Sequence, residues 1–142
     1  SLYTGGLNTS ISLRNSVVLG ANEPSCTGAS NLSAGGNFVA ASCPSAQPGD
    51  VIVSQRSQLG LSALSNVATR VQVFVPQPGS PLIDHIDCPP GRDVDARGYD
   101  VPVDGNGDNV ARCDSGAVER QSNEPAAVFV LFRDGFESNE QG

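Results

Sequence analysis

The sharpest ligand pattern in this 142-residue sequence is Asp104-Gly105-Asn106-Gly107-Asp108-Asn109, in which oxygen-bearing side chains alternate with glycine. Alternate oxygens in a Gly-rich loop can converge on a hard cation, as at the first, third and fifth positions of calcium loops. Val110 would add a carbonyl and Asp114 a late carboxylate. The candidate metal set is therefore Asp104, Asn106, Asp108, Val110 and Asp114, with calcium as the cofactor. The pattern is incomplete, because Asn109 stands where a calcium loop wants Gly and Ser115 where it wants Glu. The competing reading is a plain Asp/Asn/Gly turn. A bound ion would rigidify the chain around it rather than react.

A second candidate is His85, which lies between Asp84 and Asp87 in a Ser-rich chain. A His beside carboxylates can act as a general base toward a hydroxyl nucleophile. It is the only His, however, and it stands in a turn-rich stretch, which favours a surface or packing role. No residue is assigned to catalysis.

The four cysteines, Cys26, Cys43, Cys88 and Cys113, form no CxxC pair, and one His cannot complete a finger-like zinc set. An even number, widely spaced among Gly, Ser and Asn, reads as two disulfides made in an oxidising compartment. Three connectivities are open. The sequential one, Cys26–Cys43 with Cys88–Cys113, closes two local loops and is preferred. Each bond would contribute roughly 3 kcal/mol by restricting the unfolded chain.

The elements that must hold these residues are short. Sixteen Gly and ten Pro, with five Phe, two Tyr and no Trp, describe an all-β chain of frequent turns around an aliphatic core. All eight basic residues are Arg and the net charge is −7. Without Lys there is no Schiff-base chemistry and no Walker-type phosphate loop, and an acidic surface argues against nucleic acid as a partner. No run is long enough to span a membrane, since the longest apolar stretch is Ala126 to Phe132. A secreted chain lacking both Met and a signal peptide is expected to be a processed piece that begins at Ser1.

Ile11 and Leu13 alternate with Ser12 and Arg14, and Val17 and Leu19 follow Asn15, which is strand periodicity with one buried face. Further strands are expected at Phe38–Ala40, Val51–Ser54 and Val71–Val75, with a helical turn or loop at 58–65. Asn15 and Asn37 are 22 residues apart, and Val17, Val39 and Leu61 keep the same spacing. A period in the low twenties suits one turn of a solenoid, with Asn15 and Asn37 at stacked corners. From Pro76 to Asn109 the chain is dense in Pro, Gly and Asp and reads as an irregular wrap. Tied by a disulfide, it would cap the open end of the last coil.

The stretch from Gly79 to Glu119 contains Gly79-Ser80-Pro81-Leu82-Ile83-Asp84, then Cys88, then Asp95-Ala96-Arg97-Gly98, then Cys113-Asp114-Ser115-Gly116-Ala117-Val118-Glu119. This order resembles the choice-of-anchor Q domain at the C-terminal end of bacterial parallel β-helix proteins, which shows GSPAID, a Cys, DQRG and CDIGAxE. The resemblance extends upstream through the Cys26 loop and Gly35-Gly36-Asn37-Phe38 to Cys43, and so covers most of residues 8–120. Here His85 replaces a small residue, Ser115 replaces Ile, and residues 66–75 lack the family's Gly-Gly and Thr-His signature. The ending Asp134-Gly135-Phe136-Glu137-Ser138 is similar to DGFES-type tails of exported gammaproteobacterial proteins.

The resemblance implies a right-handed parallel β-helix: its last two or three coils over residues 1–75, a disulfide-tied cap over 76–120, and a tail with one apolar strand over 121–142. It implies a non-catalytic module ending a secreted protein at the outer surface of a Gram-negative bacterium, adhesive or anchoring in role. Asp95 and Arg97 would fix the cap by pairing or by bonding backbone carbonyls. The expected partners are the upstream part of the same precursor, or another subunit, covering the open coil, and glycans at the surface. The alternative is the C-terminal portion of a β-helix polysaccharide lyase or hydrolase using Asp93, Asp95 and Arg97. Such a site needs charges along a groove of several coils, whereas the polar strand positions here are chiefly Ser12, Arg14 and Ser16.

Overall fold

A computed structural model of the chain describes residues 2–3, 10–20, 26–27, 31–43, 45, 47–64 and 72–126. It is all-β, with no α-helix among the described residues. The backbone runs in successive passes whose short strands pair in parallel. β1 (Leu2–Tyr3) pairs with β4 (Cys26–Thr27), and β2 (Ile11–Leu13) with β5 (Asn31–Ser33). β3 (Val17–Val18) pairs with β6 (Phe38–Val39), which also takes β7 (Val51–Ile52) on its far side.

Asn15 makes the bend between β2 and β3. Its φ of 49° is left-handed, a region Asn tolerates better than most side-chain-bearing residues. The ladder continues through the bend, with Asn15 N–H donating to the Gly35 carbonyl and Phe38 N–H to that of Ser16.

A uniform 22-residue spacing does not survive in the register. Leu2 faces Cys26, Ile11 faces Asn31, Val17 faces Phe38, and Phe38 faces Val51, so the offsets are 24, 20, 21 and 13 residues. Val39 pairs with Val18, and Leu61 leaves the row to bridge Pro76. Strand pairing fixes which side chains stack, while the connections absorb the difference in length. The third pass is short because tight turns at 41–43 and 47–50 replace a longer excursion.

Successive residues of β6 point to opposite faces of its sheet. Val39 packs with Leu13, Cys26 and Cys43, and Phe38 with Val53, Leu59 and Leu82. Each such fully buried side chain contributes roughly 2 kcal/mol of transfer free energy. Leu59 is delivered by a 3₁₀ turn, Arg56–Leu59, whose Gln58 side chain accepts from the N–H groups of Ser54 and Gln55.

The expected strand at Val71–Val75 is not formed over its described part, residues 72–75. Its alternation is real, since Val73 and Val75 are buried and Gln72 and Phe74 exposed. The segment pairs loosely with residues 60–62 instead. Ser62 N–H donates to the Val75 carbonyl, while the Ser62 hydroxyl takes the Val75 N–H in place of a ladder partner.

Beyond Pro76 the chain forms a wrap with isolated antiparallel bridges, Ile86–Cys113, Val94–Asp100 and Val103–Arg112. Cys26 is bonded to Cys43 and Cys88 to Cys113. The wrap does more than meet the last pass, because it bonds to all three along one flank. Gly116 N–H reaches the Asn15 carbonyl, the Ser115 hydroxyl reaches the Gly36 carbonyl, and His85 Nε2 lies 2.7 Å from the Gly49 carbonyl. Phe38 and Leu82 pack together beneath this seam. The apolar strand expected in the tail lies outside the described residues, apart from Ala126.

Candidate functional site

An irregular wrap has no ladder to satisfy its amides, yet buried N–H groups must find acceptors. Here carboxylates supply them. Asp84, Asp95, Asp114 and Glu119 are all buried, Asp114 and Glu119 with no solvent exposure. Asp84 accepts from the N–H groups of Gly105, Asn106 and Arg112. Asp114 accepts from Asp84 and Arg120, and Glu119 from Asp114 and Val103. Asp95 accepts from Arg97, Tyr99 and Glu119. The amide of each acid in the order 84, 114, 119 thus donates to the next carboxylate, ending on Asp95.

Among the described residues, only the last of the four is paired with a cation. Arg97 Nε lies 2.9 Å from Asp95 Oδ2, and its other nitrogens reach Glu124 and the Glu119 carbonyl. Burial raises the Asp95 carboxyl, but the bonds from Glu119, Arg97 and Tyr99 outweigh it and hold it below its ordinary value. Burial lowers the Arg97 pKa, and its acidic partners raise it further than burial lowers it. Asp114 has no such cation: burial pushes it up to about 7, with the Glu119 and Asp84 charges adding to the push. Burial raises Glu119 as well. Arg120 spans the base of the wrap, donating to the carbonyls of Pro76 and Glu124.

A second polar centre lies at the bend of the second pass. The Asn37 side chain accepts from Ser16 N–H and donates to the Leu13 carbonyl, the Ser33 hydroxyl and Asp50. Asp50 also accepts from the N–H groups of Asn37 and Gln47 and from the Ser33 hydroxyl. Burial raises Asp50, and these donors together bring it below its usual value. Asn15 sits one pass below and does not stack on Asn37: its amide oxygen lies against Gly36, where a Cβ would come within 2.5 Å of it.

The five candidate calcium ligands divide between an exposed loop and the buried Asp114. Asp104, Asn106 and Asp108 share an exposed loop, but their oxygens receive the loop's own amides. Asp104 accepts from Gly107, Asp108 and Asn109, Asn106 from Asp108, and Asp108 from Val110. Burial raises Asp104, but these backbone donors together outweigh it and hold the carboxyl below its ordinary value. Asp114 is buried, its oxygens engaged by Asp84 and Arg120. Among the described residues, no group of three or more His, Cys, Asp or Glu is arranged to hold a metal ion.

His85 is likewise committed. Its ring meets Phe38 edge-on at 4.7 Å between centroids, and its Nε2 faces the Gly49 carbonyl. Asp93 is exposed and uses its carbonyl to accept from Val101 N–H, apart from the Asp95–Arg97 pair. What the arrangement does chemically is hold backbone. Asp50, Asp84, Glu119 and Arg120 escaped the sequence reading of the site, although Asp84 and Glu119 end two of its ordered motifs.

Among the described residues no helix is long and apolar enough to cross a membrane. No protein-family model, curated protein or solved structure matches this chain.

Proposed function

We propose that this chain is a non-catalytic structural module that ends a right-handed parallel β-helix on a secreted protein and holds it at, or presents it from, the outer surface of a Gram-negative bacterium. The observation that carries the reading is the wrap's attachment to all three passes, at Asn15, Gly36 and Gly49. An element bonded in this way locks successive layers together. The four parallel strand pairings, the two disulfides and the motif order resembling the choice-of-anchor Q domain support the same reading. Two disulfides fit an extracellular or secreted protein. In this reading β1 and β2, each paired on one side, take the preceding coil of the same precursor or a covering subunit on their other edge.

The test is the intact mass and N-terminal sequence of the protein as its source releases it, paired with a turnover assay on acidic polysaccharides. A chain extending upstream of Ser1, without turnover by these 142 residues, is the expected result. Turnover by this chain alone would remove the non-catalytic reading. A mature surface protein that starts at Ser1 and binds no subunit would remove the terminal-module reading.

A further inference from the structure

The Asp104–Asn109 loop carries the one Asn of this sequence that is followed by Gly, at Asn106-Gly107. A main-chain nitrogen can attack the side-chain carbonyl of the Asn before it, and glycine leaves that approach open because it has no Cβ. Asn106, Gly107 and Asp108 are exposed, and a Cβ on Gly107 would meet nothing within 4 Å. The hydrogen bonds of the loop fall on the atoms that such an attack uses. Gly107 N–H, on the nucleophile, donates to Asp104 Oδ1 at 2.6 Å. Asp108 N–H donates to Asn106 Oδ1 at 2.8 Å, on the oxygen where negative charge would develop. Addition to a carbonyl is helped by a base within reach of the proton it removes and by a donor on the developing oxyanion. Against the upward push of burial, the loop's amides hold the Asp104 carboxyl below its ordinary value, so it is ionised at neutral pH. A carboxylate held that low is a weak base, which sets a slow rate, that of ageing rather than of turnover.

We propose that Asn106 is a site of spontaneous self-modification, at which the Gly107 nitrogen closes a succinimide ring on the Asn106 side chain with Asp104 as the base. The bond from Gly107 N to Asn106 Cγ forms as the amide proton passes to Asp104 and on through solvent to the side-chain nitrogen. The Cγ–Nδ2 bond then breaks and ammonia leaves. Water opens the ring at either carbonyl. Opening at Cγ gives Asp, and opening at the main-chain carbonyl gives isoaspartate, with the backbone rerouted through the side chain. Either product removes the donor that Asn106 Nδ2 gives to Asp108 Oδ2 and adds a carboxylate between Asp104 and Asp108.

Two neighbours lack this combination. In Asp104-Gly105 the side chain is a carboxylate, a poor electrophile, and Gly105 N–H is held by Asp84 Oδ2 at 3.1 Å. A Cβ on Gly105 would lie 2.9 Å from Ile83, so that position is closed as well. Asn109 shares the exposure of the loop but precedes Val110, whose branched side chain crowds the nitrogen.

The test ages the full chain, disulfides intact, in neutral buffer at physiological temperature. Each Asn is then read by peptide mapping with fragmentation that separates Asp from isoaspartate. The expected result is loss of one ammonia and gain of one water at position 106, with both products present, while Asn15, Asn37 and Asn109 keep their amides. An unmodified Asn106, or conversion of those three at a comparable rate, would overturn the proposal. Asp104→Ser keeps an acceptor oxygen in the loop but removes the carboxylate, and conversion at position 106 should slow several-fold. A rate in that variant equal to or above that of the unaltered chain would remove Asp104 as the base.

Discussion

Asn37 makes four side-chain hydrogen bonds from a position with no solvent exposure, and they join three passes of the chain. Replacing it with Ala leaves Ser16 N–H, the Leu13 carbonyl and an Asp50 oxygen short of partners. Unmet buried groups cost about 1–3 kcal/mol each, softened where water reaches them. Asn37→Ala is therefore expected to destabilise the fold by about 3 kcal/mol, read as a fall in the urea midpoint at unchanged slope. Asn37→Asp should cost at least as much, because it loses the donor and sets a carboxylate against Asp50. Asn37 stood out in the sequence through a 22-residue spacing from Asn15 that the register does not keep, and nothing in the sequence singled out Asp50. An Asp after Pro-Gly looks like any turn residue, and only the bend of the chain turns it toward Asn37. The same holds for Asp84, whose left-handed φ of 51° points its amide at Asp114 while its carboxylate gathers three others.

At the scale of elements, the wrap replaces a ladder with side-chain acceptors, so its order depends on what limits its unfolded freedom. Cys88–Cys113 spans 25 residues of it. By chain entropy the bond contributes about 3 kcal/mol. The paired Cys88→Ser/Cys113→Ser variant is expected to lower the melting temperature by about 10 °C at this chain length and to open residues 84–120 to protease before the passes. Equal cleavage of both regions would show that wrap and passes unfold as one unit. The Asp104–Asn109 loop gives a contrasting expectation. Its oxygens already receive its own amides, so millimolar calcium should leave the melting temperature within about 1 °C of its value in chelator, whereas a built site would raise it by mass action. Strand positions were readable because alternation is local: Ile11, Leu13, Phe38 and Val51 all belong to strands. Register was not, since offsets from 13 to 24 residues depend on how much chain each connection uses. Val71–Val75 shows the limit in another way. Its alternating burial was legible, but Ser62 supplies a hydroxyl where a strand would need a backbone partner.

For the whole molecule, the acidic sequence and the buried acids set opposing slopes of stability with pH. Asp50 and Asp95 are held below their ordinary values, so the stability they add is present above about pH 4 and is lost as pH falls through their folded values. Asp114 has the opposite sign. Its folded pKa of about 7 exceeds the unfolded value near 3.9, so the folded chain binds the extra proton between them, and stability falls as pH rises from about 4 to about 7. Glu119, also raised, adds to that fall. The raised pair wins above pH 4.5, because the lowered acids are by then ionised in both folded and unfolded chains and contribute no further slope. The melting temperature should therefore peak between about pH 4 and 4.5 and drop on the order of 10 °C by pH 8, since raising the Asp114 pKa from about 4 to about 7 amounts to about 4 kcal/mol, at about 2–4 °C per kcal/mol for a chain of this size. Asp114 carries the decline through its burial beside Asp84 and Glu119, so its carboxyl carbon, followed by NMR, should titrate near the same midpoint as the loss of stability. A melting temperature that climbs steadily from pH 5 to 8, or an Asp114 signal that titrates near pH 4, would mean that a cation or water neutralises the buried acids.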